Sequence, residues 1–181
     1  MTVVAFAGRR VDATSADTPR FPVTSIDMVA ARIRDALRTL EASVLVASAA
    51  AGADLLAMRE AGLLGLRRRV VLPVPPAEFV ADSVADRPGE WARLFETIVA
   101  DAERAGDLVV LSAGDGYEGY AAVTDAIITE TRAIADALKL QTAALVAWEG
   151  QSRGDGDLTD VFRERATASG LVVHEIDTLR H

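Results

Sequence analysis

The sequence contains no cysteine, and this absence excludes several kinds of chemistry at once. Disulfide bonds, thiolate nucleophiles and zinc sites built on thiolates all require that residue. Aromatic residues are also scarce, at 5% of the chain, although 50% of the residues are hydrophobic. The core must therefore consist mainly of valine, leucine, isoleucine and alanine. These side chains suit the close packing of helices on a sheet.

The chain also lacks a hydrophobic run long enough to span a membrane. Its longest uncharged stretch, Ala42–Ala53, falls short of the ~18 apolar residues that a membrane span needs. Near the N-terminus, Arg9 and Arg10 follow the first apolar run instead of preceding it, which is the reverse of a secretory signal. We therefore expect a cytoplasmic protein without a membrane partner.

Positive charge is in deficit, because the formal net charge is −8 and the isoelectric point is about 4.8. Proteins that bind nucleic acids usually carry an excess of basic residues. We therefore expect no nucleic-acid partner. Any negatively charged ligand must be held by local basic groups and backbone N–H dipoles, not by the overall field.

Six short apolar runs alternate with helical patterns along the chain. The runs predicted as strands are Val3–Ala7, Val44–Ser48, Val70–Val74, Leu108–Leu111, Thr142–Trp148 and Leu171–Ile176. Such alternation is typical of a mainly parallel sheet with helices on both faces. The predicted fold class is therefore α/β, a three-layer, doubly wound, Rossmann-like sheet of about six strands. With 181 residues and no linker, the chain is expected to form one domain over 1–181.

Small residues follow three of the predicted strands, where a parallel sheet presents backbone N–H groups to a phosphate. The three junctions are Gly8–Arg10, Ser48–Asp54 and Gly114–Gly119, and the last matches G-x-G-x-x-G. This match alone is weak, since glycines are common in turns and the dinucleotide fingerprint belongs to the first strand. In the usual strand order, the first and fourth strands flank the switch point of the sheet. We therefore expect the first and third junctions to converge on one crevice, with the second beside them.

Several residues at these junctions could have either a binding role or a structural one. Arg9 and Arg10 could hold phosphate, or they could be a solvated pair or bind Asp12. Asp54 could bind a ribose or complement the dipole of the helix that follows it. The ligand-binding candidates are Gly8, Arg9, Arg10, Ser48, Ala49, Gly52, Ala53, Asp54, Pro73, Gly114, Asp115, Gly116, Tyr117, Glu118, Gly119 and Tyr120.

Catalytic groups are poorly represented in the sequence. The two histidines, His174 and His181, are not placed for a Ser-His-Asp arrangement at the glycine-rich junctions. Walker A and H-E-x-x-H motifs are missing, and we expect no metal site. Asp115 and Glu118 remain as weak candidates for acid–base catalysis. A lone carboxylate in a glycine loop is more often a helix cap.

The chain resembles the SLOG superfamily, a Rossmann-like group that includes LOG-type enzymes and DNA-processing Smf proteins. The resemblance is greatest to its sensor-type members, and it covers nearly the whole chain in short pieces. The matching segments are Phe6–Arg10 with the loop to Pro22, Ala47–Asp54, Val71–Pro73, Glu78–Phe79, Ser83–Val84, Asp115–Gly119 and Val146–Gly150. The resemblance implies binding of nucleotides or nucleotide-derived signals, including NAD-derived ones, at the carboxyl edge of the sheet.

One departure from this family's pattern bears on catalysis. LOG-type enzymes carry P-G-G-x-G-T-x-x-E in the loop after the fourth strand. Here the glycines are kept, but Val123 stands at the position of the glutamate. Among the first arginines, Arg10 is the better match, because related sequences often read Gly-His-Arg there. The resemblance therefore implies binding more than cleavage.

Taken together, these features predict a nucleotide-binding domain that serves in sensing or signalling. A nucleotide or an NAD-derived molecule is the expected ligand, and no other cofactor is expected. Two alternatives stay open. One is a LOG-like N-glycosidase that hydrolyses nucleoside monophosphates, and the other is a structural domain with a vestigial pocket. In each case we expect a homodimer or a higher oligomer.

Overall fold

A six-stranded parallel sheet forms the centre of the protein. The structure is a computed structural model, and it describes residues 1–179. The strands lie in the order β4-β3-β2-β1-β5-β6, and each pairs in parallel with its neighbours. They are β1 (Thr2–Gly8), β2 (Ala42–Ala47), β3 (Arg67–Leu72), β4 (Leu108–Val110), β5 (Gln141–Trp148) and β6 (Val172–Asp177).

Helices connect these strands in turn. They are α1 (Ile26–Thr39), α2 (Ala53–Leu63), α3 (Pro76–Ser83), α4 (Trp91–Ala105), α5 (Tyr117–Leu138) and α6 (Leu158–Ala168). A short 3-10 helix, Val23–Ser25, precedes α1. Within residues 1–179, no helix combines the length and the apolar character needed to cross a membrane.

The sheet separates two hydrophobic cores, which confirms the predicted three-layer, Rossmann-like class. Successive residues of a strand point to opposite faces. Val4 and Phe6 of β1 accordingly join the core under α1 to α4, while Val3 and Ala5 join the core under α5 and α6. A strand buried on both faces has a continuous apolar sequence, and this explains the run at the start of the chain.

The order of the strands differs from the expected one. β1 pairs with β2 and β5, so the switch point lies between β1 and β5. β4 is only three residues long and pairs with β3 at the edge of the sheet. The prediction that the first and fourth strands flank the switch point is therefore wrong. Sequence periodicity identifies strands, but the packing of the helices decides which strands become neighbours.

Helix α5 compensates for the distant position of β4. It leads from β4 at one edge to β5 beyond β1, and it packs on β1, β2, β3 and β5 along the way. At 1.5 Å per residue its 22 residues are about 33 Å long. Neighbouring strands are only ~4.8 Å apart, so the helix is long enough to cross the sheet obliquely. Its first turns thus reach the carboxyl ends of the central strands.

Candidate functional site

A cavity of about 690 Å³ lies at the carboxyl ends of the central strands. Its walls come from the loop after β1, the start of α2, the end of α3 and the segment after it, and the first turns of α5 and α6. Val123, Ile127 and Leu158 give it an apolar side, and the remaining lining is largely polar. Small-molecule sites typically occupy ~300–1,000 Å³ and combine an apolar wall with a few polar groups.

The loop after β1 is fixed by hydrogen bonds even though its sequence has no regular pattern. Arg10 forms an isolated antiparallel bridge with Gly52, just before α2. Further along, the carboxylate of Asp12 accepts hydrogen bonds from the backbone amides of Arg20 (3.0 Å) and Phe21 (3.1 Å). The loop is therefore an ordered wall of the cavity, and it holds the backbone of Arg10 in place.

Two predicted glycines allow this loop to contact the start of α2. Gly52 has φ +120°, and a Cβ there would lie 2.4 Å from the backbone nitrogen of Val11. A Cβ on Gly8 would lie 2.5 Å from the Cβ of Ala53. Both glycines therefore have a packing role. Gly8 also lines the cavity, whereas Gly52 and Ala53 are buried outside its lining.

Arg9 lies in a buried ion cluster and is only 3% exposed. Its Nε donates to Glu149 (2.7 Å), its Nη1 and Nη2 donate to Asp157 (2.5 and 2.9 Å), and Nη2 also donates to the carbonyl of Gln151 (2.9 Å). Burial lowers the pKa of Arg9, but the bonds to Asp157 and Glu149 outweigh it and raise that pKa on balance. Although Arg9 borders the cavity, its donors are committed to the protein.

Arg10 and Arg87 have a different environment beside the same cavity. Asp86 accepts hydrogen bonds from both of them, from Nη2 of Arg10 and from Nη1 of Arg87 (2.9 Å). Burial, followed by the charge of Arg10 and with a contribution from Arg153, lowers the pKa of Arg87. The guanidinium groups of Arg10 and Arg153 are thus close enough to Arg87 to repel its charge.

Asp54 and Ser48 supply polar groups from the second junction. Each residue is 8% exposed, and each lines the cavity. Burial raises the pKa of the Asp54 carboxyl to about 7, although hydrogen bonds with the backbone of Ala50 and Gly8 and the charge of Arg10 oppose this rise. Near neutral pH this carboxyl is therefore divided between its protonated and ionised forms.

Buried polar atoms without hydrogen-bond partners are concentrated around the cavity. Among residues 1–179 such side-chain atoms occur on six residues, and four of the six line the cavity. The four atoms are Nε of Arg10, Oγ of Ser48, Oδ1 of Asp54 and Nε of Arg87. Buried polar groups are normally paired in native proteins, so four unpaired atoms around one cavity are unusual.

The glycine loop before α5 contributes less to the cavity than expected. Asp115 and Tyr120 line it, but the ring of Tyr120 packs against Phe79 and its hydroxyl bonds to Ser83. Tyr120 thus connects α5 to α3. Gly119 has a packing role, because a Cβ there would lie 1.9 Å from the carbonyl oxygen of Gly114.

The structure brings part of the predicted set together. The candidates that line the cavity are Gly8, Arg9, Arg10, Ser48, Asp54, Asp115 and Tyr120. The candidates outside its lining are Ala49, Gly52, Ala53, Pro73, Gly114, Gly116, Tyr117, Glu118 and Gly119. Sequence reasoning missed lining residues on loops, on α3 and on α5, namely Arg20, Asp82, Ser83, Arg87, Val123, Thr124, Ile127 and Arg153. For Arg87 and Arg153, a position in a loop between predicted elements was the only available signal.

The weak catalytic candidates lie in exposed surroundings. Asp115 and Glu118 are both exposed, and only Asp115 lines the cavity. His174 is exposed on β6 at the sheet edge, and His181 lies outside the described residues. Within the part of the chain that the structure describes, no group of three His, Cys, Asp or Glu residues could hold a metal ion. Asp54 is the carboxyl with the strongest perturbation at the cavity.

Comparison with solved structures finds a neighbour of low sequence identity. No protein-family model and no curated protein matches the chain. The X-ray structure of DNA processing protein A (DprA) from Streptococcus pneumoniae is similar at 14% identity, with a TM-score of 0.44. The match covers 98% of this chain and 59% of that chain, so this chain spans less than two thirds of that structure's length. DNA-processing proteins are among those named by the sequence resemblance, but the sensor-type subgroup remains a prediction.

The exclusion of nucleic-acid partners requires correction. It conflicts with this neighbour, whose title describes a DNA-processing protein. The exclusion rested on the net charge of −8, which describes the whole chain. A binding surface responds to the charges near it, and Arg10, Arg87 and Arg153 gather at one cavity despite the acidic total. Net charge therefore does not exclude a polyanionic partner for this chain.

Proposed function

We propose that the cavity binds a nucleotide or a nucleotide-derived small molecule, and that this binding serves sensing or signalling. The main support is the set of unpartnered buried atoms on Arg10, Ser48, Asp54 and Arg87. Leaving a buried polar group without a hydrogen bond costs about 1–3 kcal/mol. Four such atoms around one cavity therefore favour a polar occupant.

The chemical variety of these groups favours a nucleotide among polar ligands. The guanidinium groups of Arg10 and Arg87 suit phosphate oxygens, since charge-assisted hydrogen bonds to phosphate are strong. The carboxyl of Asp54 and the hydroxyl of Ser48 suit the hydroxyls of a ribose. The apolar side of the cavity suits the flat face of a base. An anion, a sugar and a base thus each have a complementary wall.

A second candidate function is hydrolysis of the N-glycosidic bond of such a ligand. The observation that favours it is the pKa of about 7 for Asp54, because a group with that pKa can both accept and donate a proton near neutral pH. In this reaction water adds across the bond between sugar and base. Asp54 would take a proton from the water or deliver one to the departing base, and the products are a free base and a sugar phosphate.

Thermal unfolding with a panel of ligands tests the binding proposal. The panel contains AMP, cyclic nucleotides, NAD, ADP-ribose and a short single-stranded oligonucleotide. A ligand at 100 times its Kd adds about 2.7 kcal/mol of stability. For a chain of this size we expect a rise in melting temperature of roughly 5–10 °C with at least one mononucleotide or dinucleotide. Absence of any rise across the panel would contradict the proposal and favour a self-associating structural domain.

A matched pair of arginine variants locates the bound ligand. Arg87→Gln removes a cavity-lining guanidinium, while Arg104→Gln removes one that is 76% exposed on α4 and pairs with Asp101. We expect the first variant to lose the ligand-induced stabilisation and the second to keep it.

Chromatography of a nucleotide incubated with the protein tests the second candidate function. Free base appears only if the N-glycosidic bond is hydrolysed, and none should form with the Asp54→Asn variant.

A further inference from the structure

The carboxylate of Asp86 lies between two arginines at the edge of the cavity. It accepts hydrogen bonds from Arg10 through Oδ1 and from Arg87 through Oδ2, the latter at 2.9 Å. Asp86 belongs to the exposed segment between α3 and α4, and its side chain is 37% exposed. Both of these arginines line the cavity, so Asp86 is bonded to two of its lining residues.

The two arginines use only part of their donor set in this contact. Each bonds to Asp86 through an Nη atom, whereas the Nε atom of each is buried without a partner. A guanidinium presents Nε and Nη as a fork that matches two oxygens of one anion. A carboxylate has two oxygens, and here each arginine receives one of them. A phosphate monoester offers three terminal oxygens and could occupy both forks more fully.

Charge around Arg87 is only partly balanced. Burial of Arg87, followed by the charge of Arg10 and with a contribution from Arg153, lowers its pKa, and these effects outweigh the opposing charges of Asp86 and Asp12. Arg9 is different, because two carboxylates and a carbonyl already hold it. The incomplete neutralisation is therefore specific to the group around Arg87.

We propose that Arg10 and Arg87 form the phosphate subsite of the cavity, and that Asp86 occupies it in the free protein as an internal substitute for the ligand's phosphate. The inference rests on the proposed function, since it concerns the same cavity, and it narrows the ligand class to phosphate monoesters. Binding exchanges the Asp86 carboxylate for the phosphate group. Asp86 then moves into solvent, which its exposed segment permits.

Asp86→Asn tests this exchange, and Asp101→Asn is its matched control. Asp101 also bonds to two arginines, Arg68 and Arg104, and its side chain is 34% exposed, but it lies on α4 outside the cavity lining. The probes are AMP and inorganic phosphate, with adenosine as the ligand without phosphate, all at one fixed ionic strength. Calorimetry or equilibrium dialysis gives each Kd.

The expected result is an increase in affinity that depends on the phosphate. Asp86→Asn removes the internal competitor, so AMP and inorganic phosphate should bind about tenfold more tightly, the equivalent of one charge-assisted hydrogen bond. Adenosine should bind the variant and the wild type equally, and Asp101→Asn should match the wild type with every probe. Arg87→Gln should still bind adenosine, but it should lose most of the affinity by which AMP exceeds adenosine.

Other outcomes would overturn the inference in distinguishable ways. Unchanged or weaker AMP binding by Asp86→Asn shows that Asp86 is no competitor, and the proposed function stands if AMP still binds the wild type. Equal tightening in Asp101→Asn shows a general effect of charge. If neither AMP, adenosine nor phosphate binds the wild type or Asp86→Asn, the phosphate subsite is wrong. The proposed function is then wrong as well if cyclic nucleotides, NAD and ADP-ribose also fail to bind.

Discussion

Arg9 and Arg10 are neighbours in the chain, yet their guanidinium groups have very different surroundings. Arg9 is held by Glu149 and Asp157, whereas Arg10 borders the cavity with its Nε unpartnered. Their position in the sequence left both as phosphate ligands, as a solvated pair or as partners of Asp12, and only the family resemblance favoured Arg10. The carboxylates that hold Arg9 lie about 140 residues further along the chain, so only the fold brings them to it.

Arg9→Gln should lower the free energy of unfolding by about 3–5 kcal/mol, because removing one member of a buried ion pair leaves the other charge uncompensated. Urea denaturation measures the change. Arg104→Gln is the control, since that side chain is 76% exposed and surface ion pairs contribute less than about 1 kcal/mol. Similar losses in the two variants would contradict a structural role for the Arg9 cluster.

The titration of Asp54 should make the free energy of unfolding fall as the pH rises from about 4 to about 7. Its folded pKa of about 7 lies above the ordinary 3.8, so over this range the native protein holds a proton that the unfolded chain has released. Asp54→Asn removes this dependence. Between pH 4 and pH 8, the free energy of unfolding of the variant should rise relative to that of wild type by on the order of 3 kcal/mol.

Urea denaturation at several pH values checks this expectation. A stability difference between wild type and Asp54→Asn that stays constant from pH 4 to pH 8 would disprove it. The same substitution should weaken binding of a ribose-containing ligand. A site residue that costs stability while supporting binding is a common compromise in functional sites.

At the level of secondary structure, the strands were predictable where their side chains alternate between two buried faces. β1 follows the predicted run closely, since both of its faces are covered. β3 begins earlier than predicted, because Arg67 and Arg69 extend it while bonding to Asp107. Charged residues weaken an apolar pattern, but a strand accepts them where its end reaches solvent.

The glycines were predicted to hold phosphate, and the structure shows that several of them have a packing role. Gly52→Ala should destabilise the protein by roughly 2 kcal/mol or more, because φ +120° strains an L-residue and the new Cβ would meet the loop after β1. Thermal or urea unfolding measures this loss.

Gly116→Ala is the matched control for that substitution. Gly116 precedes α5 with φ −85°, and a Cβ there has nothing within 4 Å. The free energy of unfolding of Gly116→Ala should stay within about 1 kcal/mol of that of the wild type. If Gly116→Ala instead cost as much as Gly52→Ala, close packing around Gly52 would not explain the loss.

For the whole molecule, the ion cluster around Arg9 should contribute to the loss of stability at low pH. Burial raises the pKa of Asp157, but Arg9 and the backbone of Arg153 outweigh it and lower that pKa to about 2. In the range between about pH 4 and pH 2 the unfolded chain binds a proton that native Asp157 does not, so stability falls as pH falls.

Comparing the acid unfolding of wild type with that of Asp157→Asn measures this contribution. The variant should be less stable at pH 7, because Arg9 loses a partner. On acidification from pH 4 to pH 2, its free energy of unfolding should also fall by about 2 kcal/mol less than that of wild type. Parallel stability curves for the two proteins would show that Asp157 does not control this limit.

The sequence by itself determined the alternation of strands and helices and hence the three-layer class, because burial on one or two faces leaves a periodic record in the chain. It also marked the small residues after β1 and at the start of α2, which it predicted to lie beside a ligand. Tertiary structure alone decided the strand order, the crossing of α5, the binding of Arg9 by distant carboxylates and the position of Arg87 beside Arg10 at the cavity. These features depend on contacts between residues far apart in the chain, and local periodicity carries no information about such contacts.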